Sequence, residues 1–254
     1  MQFFGHKVRA LPGILALLTA GLLIFPVGQT LWHSRAGRVK PAMAASSDEP
    51  AGQSADSLLI LVNAAHPLAT NFTPTLASVN IAYFCDPGKD NRMDSRAGPY
   101  AERLVQDSRA AGASVVLVSA YRSHTYQIEN FDRSVSRLMA QGQTASAASA
   151  VTAESIAVPG TSEHETGLAM DVCSAGWFVS HTDLTADFDQ TAAFRWLSVH
   201  AADYGFILRY PKDKTDVTGI TYEPWHYRFV GPENAQKIVK SGLCLEKYLA
   251  CGGH

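Results

Sequence analysis

The hydrophobic pattern divides the chain into an N-terminal apolar stretch, a polar spacer and a long run of mixed elements. Residues 10–27 are predominantly apolar and follow Lys7 and Arg9. Residues 37–56 are rich in Ala, Ser, Pro and acidic side chains without periodicity, which predicts a linker. Leu58-Leu59-Ile60-Leu61-Val62 has the composition of a short buried strand. Ala101, Leu104, Val105 and Ser108 share one helical face, so a helix is predicted over 96–111, with Gly112 stopping it. A strand over 114–119 and a helix over 124–139 follow, then a weak helix or loop over 141–158. Residues 168–173 read as a strand, with Leu168, Met170 and Val172 facing the core and Ala169, Asp171 and Cys173 on the other face. A helix over 189–202, a turn and strand over 204–211 and a polar loop over 212–219 come next. Trp225, Tyr227 and Phe229 alternate with His226 and Arg228, which predicts a half-buried strand over 222–229. A last helix is predicted over 233–241.

The apolar stretch changes the picture first. It is close to the lower limit of ~17 residues for a membrane-spanning helix. Ala42-Met43-Ala44 resembles a signal cleavage site but lies far beyond the apolar core, so an uncleaved anchor is favoured over a cleaved signal. Basic residues flank the stretch on both sides, so charge does not fix its orientation. The formal net charge is −2, and no basic patch is interleaved with aromatics, so nucleic acid is not an expected partner.

Candidate chemistry centres on Asp171. A lone carboxylate in an apolar run is costly to bury and needs a partner. His164 lies in the loop entering that strand and can fold back toward it. His226, far downstream, can supply a third ligand. Two His and one Asp leave one tetrahedral position open, as in catalytic zinc sites. Glu223 lies on the opposite face of a straight strand, but Pro224 marks an edge or bulge that lets it swing toward His226. A glutamate beside the metal that is not a ligand is the natural general base. The plainer alternative is an Asp capping a turn and a surface His.

Ser162-x-His164-x-x-Gly167-x-Ala169-x-Asp171, followed by Glu223-x-Trp225-His226-x-Arg228, closely resembles the signature of the zinc D-alanyl-D-alanine carboxypeptidases. These are the VanY-type and LdcB-type enzymes, whose catalytic fold is shared with Hedgehog signalling domains. The resemblance runs from about residue 58 to 242. It implies an α+β fold: a small, mainly antiparallel sheet with flanking helices and a zinc cleft on the sheet. It also implies zinc held by His164, Asp171 and His226, with Glu223 as catalytic base. Tyr121-Arg122-Ser123-x-x-x-Gln127 matches the family's substrate-binding pattern, so the resemblance assigns Arg122 and Gln127 to the substrate, with Ser162 as a further contact. An Arg suits this role because its planar fork matches a free C-terminal carboxylate. The implied substrate is the stem peptide of peptidoglycan, trimmed of its terminal D-alanine. Removal of D-alanine from an already trimmed tetrapeptide uses the same motifs. A catalytically silent zinc domain that binds cell wall is the other class, and Glu223 argues against it because binding alone needs no base.

The expected organisation is an anchor or signal segment over 1–36, a linker over 37–56 and a zinc carboxypeptidase domain over 57–254. The domain is expected outside the cytoplasm, attached to the membrane through its N-terminus or else secreted, and monomeric. The four cysteines include no C-x-x-C pair, so a thiolate zinc knot is not expected. Cys244 and Cys251 are close in sequence and are expected to form a disulfide, which suits an oxidising compartment. Cys173 shares the predicted face of Asp171 and could crowd the metal.

Overall fold

The computed structural model of the protein describes residues 57–253. The anchor predicted over 1–36 and the linker predicted over 37–56 lie outside the described residues. Among the described residues, no helix is long and apolar enough to cross a membrane.

In chain order the elements are strands β1 (Leu76–Ser78) and β2 (Arg92–Asp94), helix α1 (Gly98–Ala110), strand β3 (Val115–Ser119) and helices α2 (His124–Ala140) and α3 (Ala145–Ala153). Strand β4 (Ala169–Ser174), helices α4 (Trp177–Ser180) and α5 (Ala192–His200), strand β5 (Phe206–Leu208) and helix α6 (Thr215–Thr218) follow. Strand β6 (His226–Phe229) and helices α7 (Pro232–Ser241) and α8 (Leu245–Ala250) complete the fold. β1 and β2 form an antiparallel pair, and a four-stranded sheet runs β3-β4-β6-β5 with every pair antiparallel. This is the expected α+β architecture.

The predicted face of α1 is the buried one: Ala101, Leu104, Val105 and Ser108 pack inward. Leu104 and Val105 are wholly buried in the core shared with Val115, Leu117, Met170, Phe206 and Phe229. Burial of each large apolar side chain stabilises the fold by roughly 1.5–3 kcal/mol.

Besides α6, which forms inside the predicted polar loop over 212–219, four local expectations differ from the structure. Residues 58–62 form no strand. Ile60 and Val62 are buried, but Arg228 Nη2 takes the Leu58 and Ile60 carbonyls at 3.0 and 2.8 Å, so a side chain replaces the ladder. β4 is buried on both faces: Ala169 and Cys173 are as enclosed as Met170 and Val172. Cys173 therefore belongs to the hydrophobic core rather than to the surroundings of a metal. The strand predicted from residue 222 begins only at His226, because residues 223–226 form a tight turn closed by the His226 N–H on the Glu223 carbonyl at 3.2 Å. Proline at the second position of such a turn has its φ already set.

The fourth difference concerns the cysteines, all of which are free. Cys244 and Cys251 cap opposite ends of α8, a helix that the pattern does not reveal. Seven residues of helical rise separate them by about 10 Å, beyond the ~7 Å Cα limit for a disulfide.

Candidate metal centre and substrate cleft

Strand register assembles the centre. β4 lies between β3 and β6, and Asp171 is paired with Ser119 on one side and His226 on the other. The register of β3 shifts between Leu117 and Ser119, which brings Ser119 opposite Asp171. Its hydroxyl donates to Asp171 Oδ2 at 2.6 Å. Bulges of this kind re-aim side chains beside functional sites.

His164 comes from a 3₁₀ turn, Glu163–Thr166, that ends at Gly167 in the left-handed region with φ of 72°. A Cβ at position 167 would lie 2.7 Å from the Asp94 backbone nitrogen. Glycine is thus required both for the turn and for the close approach of β2. The turn directs the His164 ring inward, where its Nδ1–H donates to the Ala120 carbonyl at 2.6 Å. A carbonyl can only accept, so this bond fixes the proton on Nδ1 and leaves the Nε2 lone pair free.

His164 Nε2 lies 3.3 Å from Asp171 Oδ2, and His226 Nδ1 lies 3.1 Å from Asp171 Oδ1. The ligand-type atoms of His164, Asp171 and His226 all fall within 4.8 Å of one another, and all three residues are buried. His164 Nε2 is enclosed without a hydrogen-bond partner. Three carboxylates also face the one ring of His226: Asp171, Glu223 Oε2 at 3.7 Å and Glu163 Oε2 at 3.5 Å. A lone pair with no donor and a concentration of negative charge together fit a divalent cation, and the His₂Asp set suits zinc.

The electrostatics follow from this crowding. Burial raises the Asp171 carboxyl, but His164, His226 and Arg122 outweigh it and hold it well below the usual range. Burial pushes Glu223 up to about 7. Burial and the nearby Arg122 push His164 down to about 4. Burial also disfavours the charged form of His226, but its contacts with Asp171 and Glu163 lift it to about 9.

A cleft of about 590 Å³ opens onto the centre and is lined by Arg122, Gln127, Ser162, Tyr210, Glu223 and Trp225, among others. Arg122 Nη2 lies 3.2 Å from Asp171 Oδ2, while its Nε is enclosed without a partner. Gln127 is wholly buried: its amide donates to the Ala157 carbonyl at 2.7 Å and its oxygen accepts from Arg122 Nη1 at 3.4 Å. Gln127 therefore holds Arg122 in place more directly than it offers itself to a ligand. Ser162 lines the cleft with its hydroxyl not used as a helix cap.

A family model described as VanY, D-alanyl-D-alanine carboxypeptidase, matches residues 90–232, more than half of the chain. The chain belongs to this family. It is 39% identical over 191 residues to a D-alanyl-D-alanine carboxypeptidase of Enterococcus faecalis. That alignment covers 75% of this chain and spans 65% of the relative, just under two thirds of its length. Among solved structures, a mutant VanY from a VanB-type resistance cassette in complex with Zn(II) has a TM-score of 0.64 at 39% identity, covering 75% of this chain and 98% of that one. VanYB in complex with D-alanine-D-alanine gives 0.64 at 40%, covering 76% and 97%. The LdcB L,D-carboxypeptidase gives 0.66 at 34%, covering 76% and 86%.

All seven residues singled out in the sequence line this one cleft: His164, Asp171, His226, Glu223, Arg122, Gln127 and Ser162. Three supporting groups were not foreseen: Ser119, the Ala120 carbonyl and Glu163. Glu163 is wholly buried, and Arg209 Nε and Arg228 Nη1 both donate to its Oε1, at 2.7 and 2.6 Å. These arginines overcome the effect of burial and hold its carboxyl far below the ordinary range. The arginine at 228 in the second motif was the available signal, because a buried arginine demands a carboxylate.

Proposed function

We propose that the protein is a zinc-dependent D,D-carboxypeptidase that removes the C-terminal D-alanine from peptidoglycan stem peptides. Glu223 carries this reading. It is a buried carboxylate 3.7 Å from a ligand-type imidazole yet outside the ligand set, where a base is needed and a fourth ligand is not. His164 Nε2, Asp171 and His226 hold the ion. Zinc, when bound, supplies a Lewis acid for the scissile carbonyl and lowers the pKa of water.

The chain's own groups do the rest. Glu223 accepts the proton of the attacking water and returns it to the departing amine of D-alanine. Arg122 offers its guanidinium to the free terminal carboxylate, which explains why the enzyme would act on chain ends. Gln127 keeps that guanidinium oriented. Ser162 offers a hydroxyl to the substrate backbone. The Ser119 hydroxyl and the Ala120 carbonyl fix the orientation of two ligands.

Such a substrate places the working domain on the extracytoplasmic side. The N-terminal apolar stretch is proposed to tether it to the membrane, and the domain to act as a monomer. The similarity to the LdcB L,D-carboxypeptidase favours one second reading, D-alanine release from tetrapeptide stems. Incubation with pentapeptide and tetrapeptide stems, followed by mass analysis, separates the two. Loss of one alanine from the pentapeptide alone is expected. Loss from the tetrapeptide alone would assign the L,D activity, and loss from neither would overturn both.

A further inference from the structure

We propose that Glu246, on the C-terminal helix α8, is a positioning residue for the metal ligand His226, acting through Arg209 and Glu163. It lies beyond residues 90–232, where the family model matches. The inference rests on the zinc reading above.

The connection is continuous, and all of it is buried except Glu246, whose side chain is partly exposed. Arg209 Nη1 and Nη2 donate to Glu246 Oε2 and Oε1 at 2.9 and 2.6 Å, a bidentate fork. The Nε of the same guanidinium donates to Glu163 Oε1 at 2.7 Å. Arg228 Nη1 donates to that same oxygen at 2.6 Å, and its Nη2 is fixed on the Leu58 and Ile60 carbonyls. Two arginines thus pin one oxygen of Glu163. The other, Oε2, has no hydrogen-bond partner and faces His226 Nε2 at 3.5 Å. The opposite nitrogen of that ring faces Asp171. A carboxylate behind a ligating imidazole sets its tautomer and orientation.

The charges balance only when Glu246 is included. Arg209 and Arg228 contribute two positive charges, and Glu163 and Glu246 two negative ones. Neutralising Glu246 has two effects. Arg209 loses its outer anchor, which loosens Glu163 Oε1 and with it the aim of Oε2. One positive charge is also left uncompensated in a buried cluster beside the metal centre, which disfavours a dication.

Attachment of α8 does not itself require this network. Leu245 and Tyr248 already pack the helix against Ile207, Val230 and Ile238. Buried ion clusters are seldom the most stabilising way to fill such a space. What the cluster adds is a fixed direction for Glu163.

The test uses the full chain and compares Glu246→Gln with wild type in zinc affinity, by chelator competition, and in the visible spectrum of the Co(II)-substituted protein. The expected result is a 10-fold or greater loss of zinc affinity, within the 10–100-fold range for groups behind metal ligands, and an altered Co(II) spectrum. Glu246→Asp should restore part of both. Glu233→Gln removes the exposed α7 pair with Lys237, at 2.8 Å, and should change neither. A purely structural role would lower the melting temperature while leaving affinity and spectrum at wild-type values, and that result overturns the proposal. Arg209→Lys keeps the buried charge but loses the fork. It should weaken zinc as well, and wild-type affinity in that variant is equally decisive against the proposal. Zinc bound tightly by wild type and by Glu246→Gln alike overturns this inference alone. A wild-type chain that takes up no zinc overturns the zinc reading along with it.

Discussion

Asp171 illustrates how far single residues determine the site. Its two oxygens meet a serine hydroxyl, an arginine and two imidazoles within 3.3 Å. Its identity was legible because a carboxylate stands out in an apolar strand. The serine was not, because Ser119 reaches it only through a register shift that no local pattern encodes. Glu163 was missed for a related reason: its partners Arg209 and Arg228 are distant in sequence, and only the fold brings them together. These residues have separable consequences. His164→Ala and His226→Ala should abolish stoichiometric zinc, as metal analysis after dialysis would show. Ser119→Ala should retain zinc but bind it about 10-fold more weakly, as expected for groups that orient ligands. Unchanged affinity in Ser119→Ala would mean that Asp171 needs no support from β3.

At the level of elements, long periodic segments were readable, and so were the short apolar strands β5 and β6, but other short elements were not. Helix α1 and strands β3 and β4 fall where the pattern puts them. The three-residue strands β1 and β2 are too short to show alternation, and α8 buries only Leu245 and Tyr248 among its six residues. Residues 58–62 look like a strand because Ile60 and Val62 are core residues, yet the Leu58 and Ile60 carbonyls serve Arg228 instead of a ladder. The turn into β4 carries the strictest local demand. Gly167→Ala would force a Cβ to 2.7 Å from the Asp94 nitrogen and 2.8 Å from a Leu76 methyl, at a φ of 72°. The left-handed conformation costs about 1–2 kcal/mol and overpacking about 1–3 kcal/mol. Denaturant unfolding should therefore register a loss of about 2–5 kcal/mol, with zinc binding impaired because His164 sits on the same turn. A loss below ~0.5 kcal/mol would mean that the turn relaxes freely.

Across the whole molecule, the antiparallel sheet and its flanking helices are those implied by the sequence motifs, while the arrangement of the cysteines is not. Sequence proximity suggested a Cys244–Cys251 bridge, but the intervening helix holds the two apart. Cys85 and Cys251 are exposed, whereas Cys173 and Cys244 are buried. Burial and the neighbouring Cys85 push the Cys173 thiol up to about 12, so at pH 8 only ~1 in 10⁴ of it is thiolate. A thiol reagent at pH 8 should modify two cysteines quickly and the other two only after unfolding. Four fast thiols, or a pair that reacts only after reduction, would contradict this arrangement. The proposed division of roles combines, in one cleft, a metal held by His164, Asp171 and His226 with a separate base, Glu223. Its most direct test is Glu223→Gln, measured for bound zinc and for D-alanine release from a pentapeptide stem. Zinc content should match wild type while turnover falls by roughly 10²–10⁴-fold, the usual contribution of a positioned base. Near-normal turnover, or loss of the zinc, would contradict this division of roles.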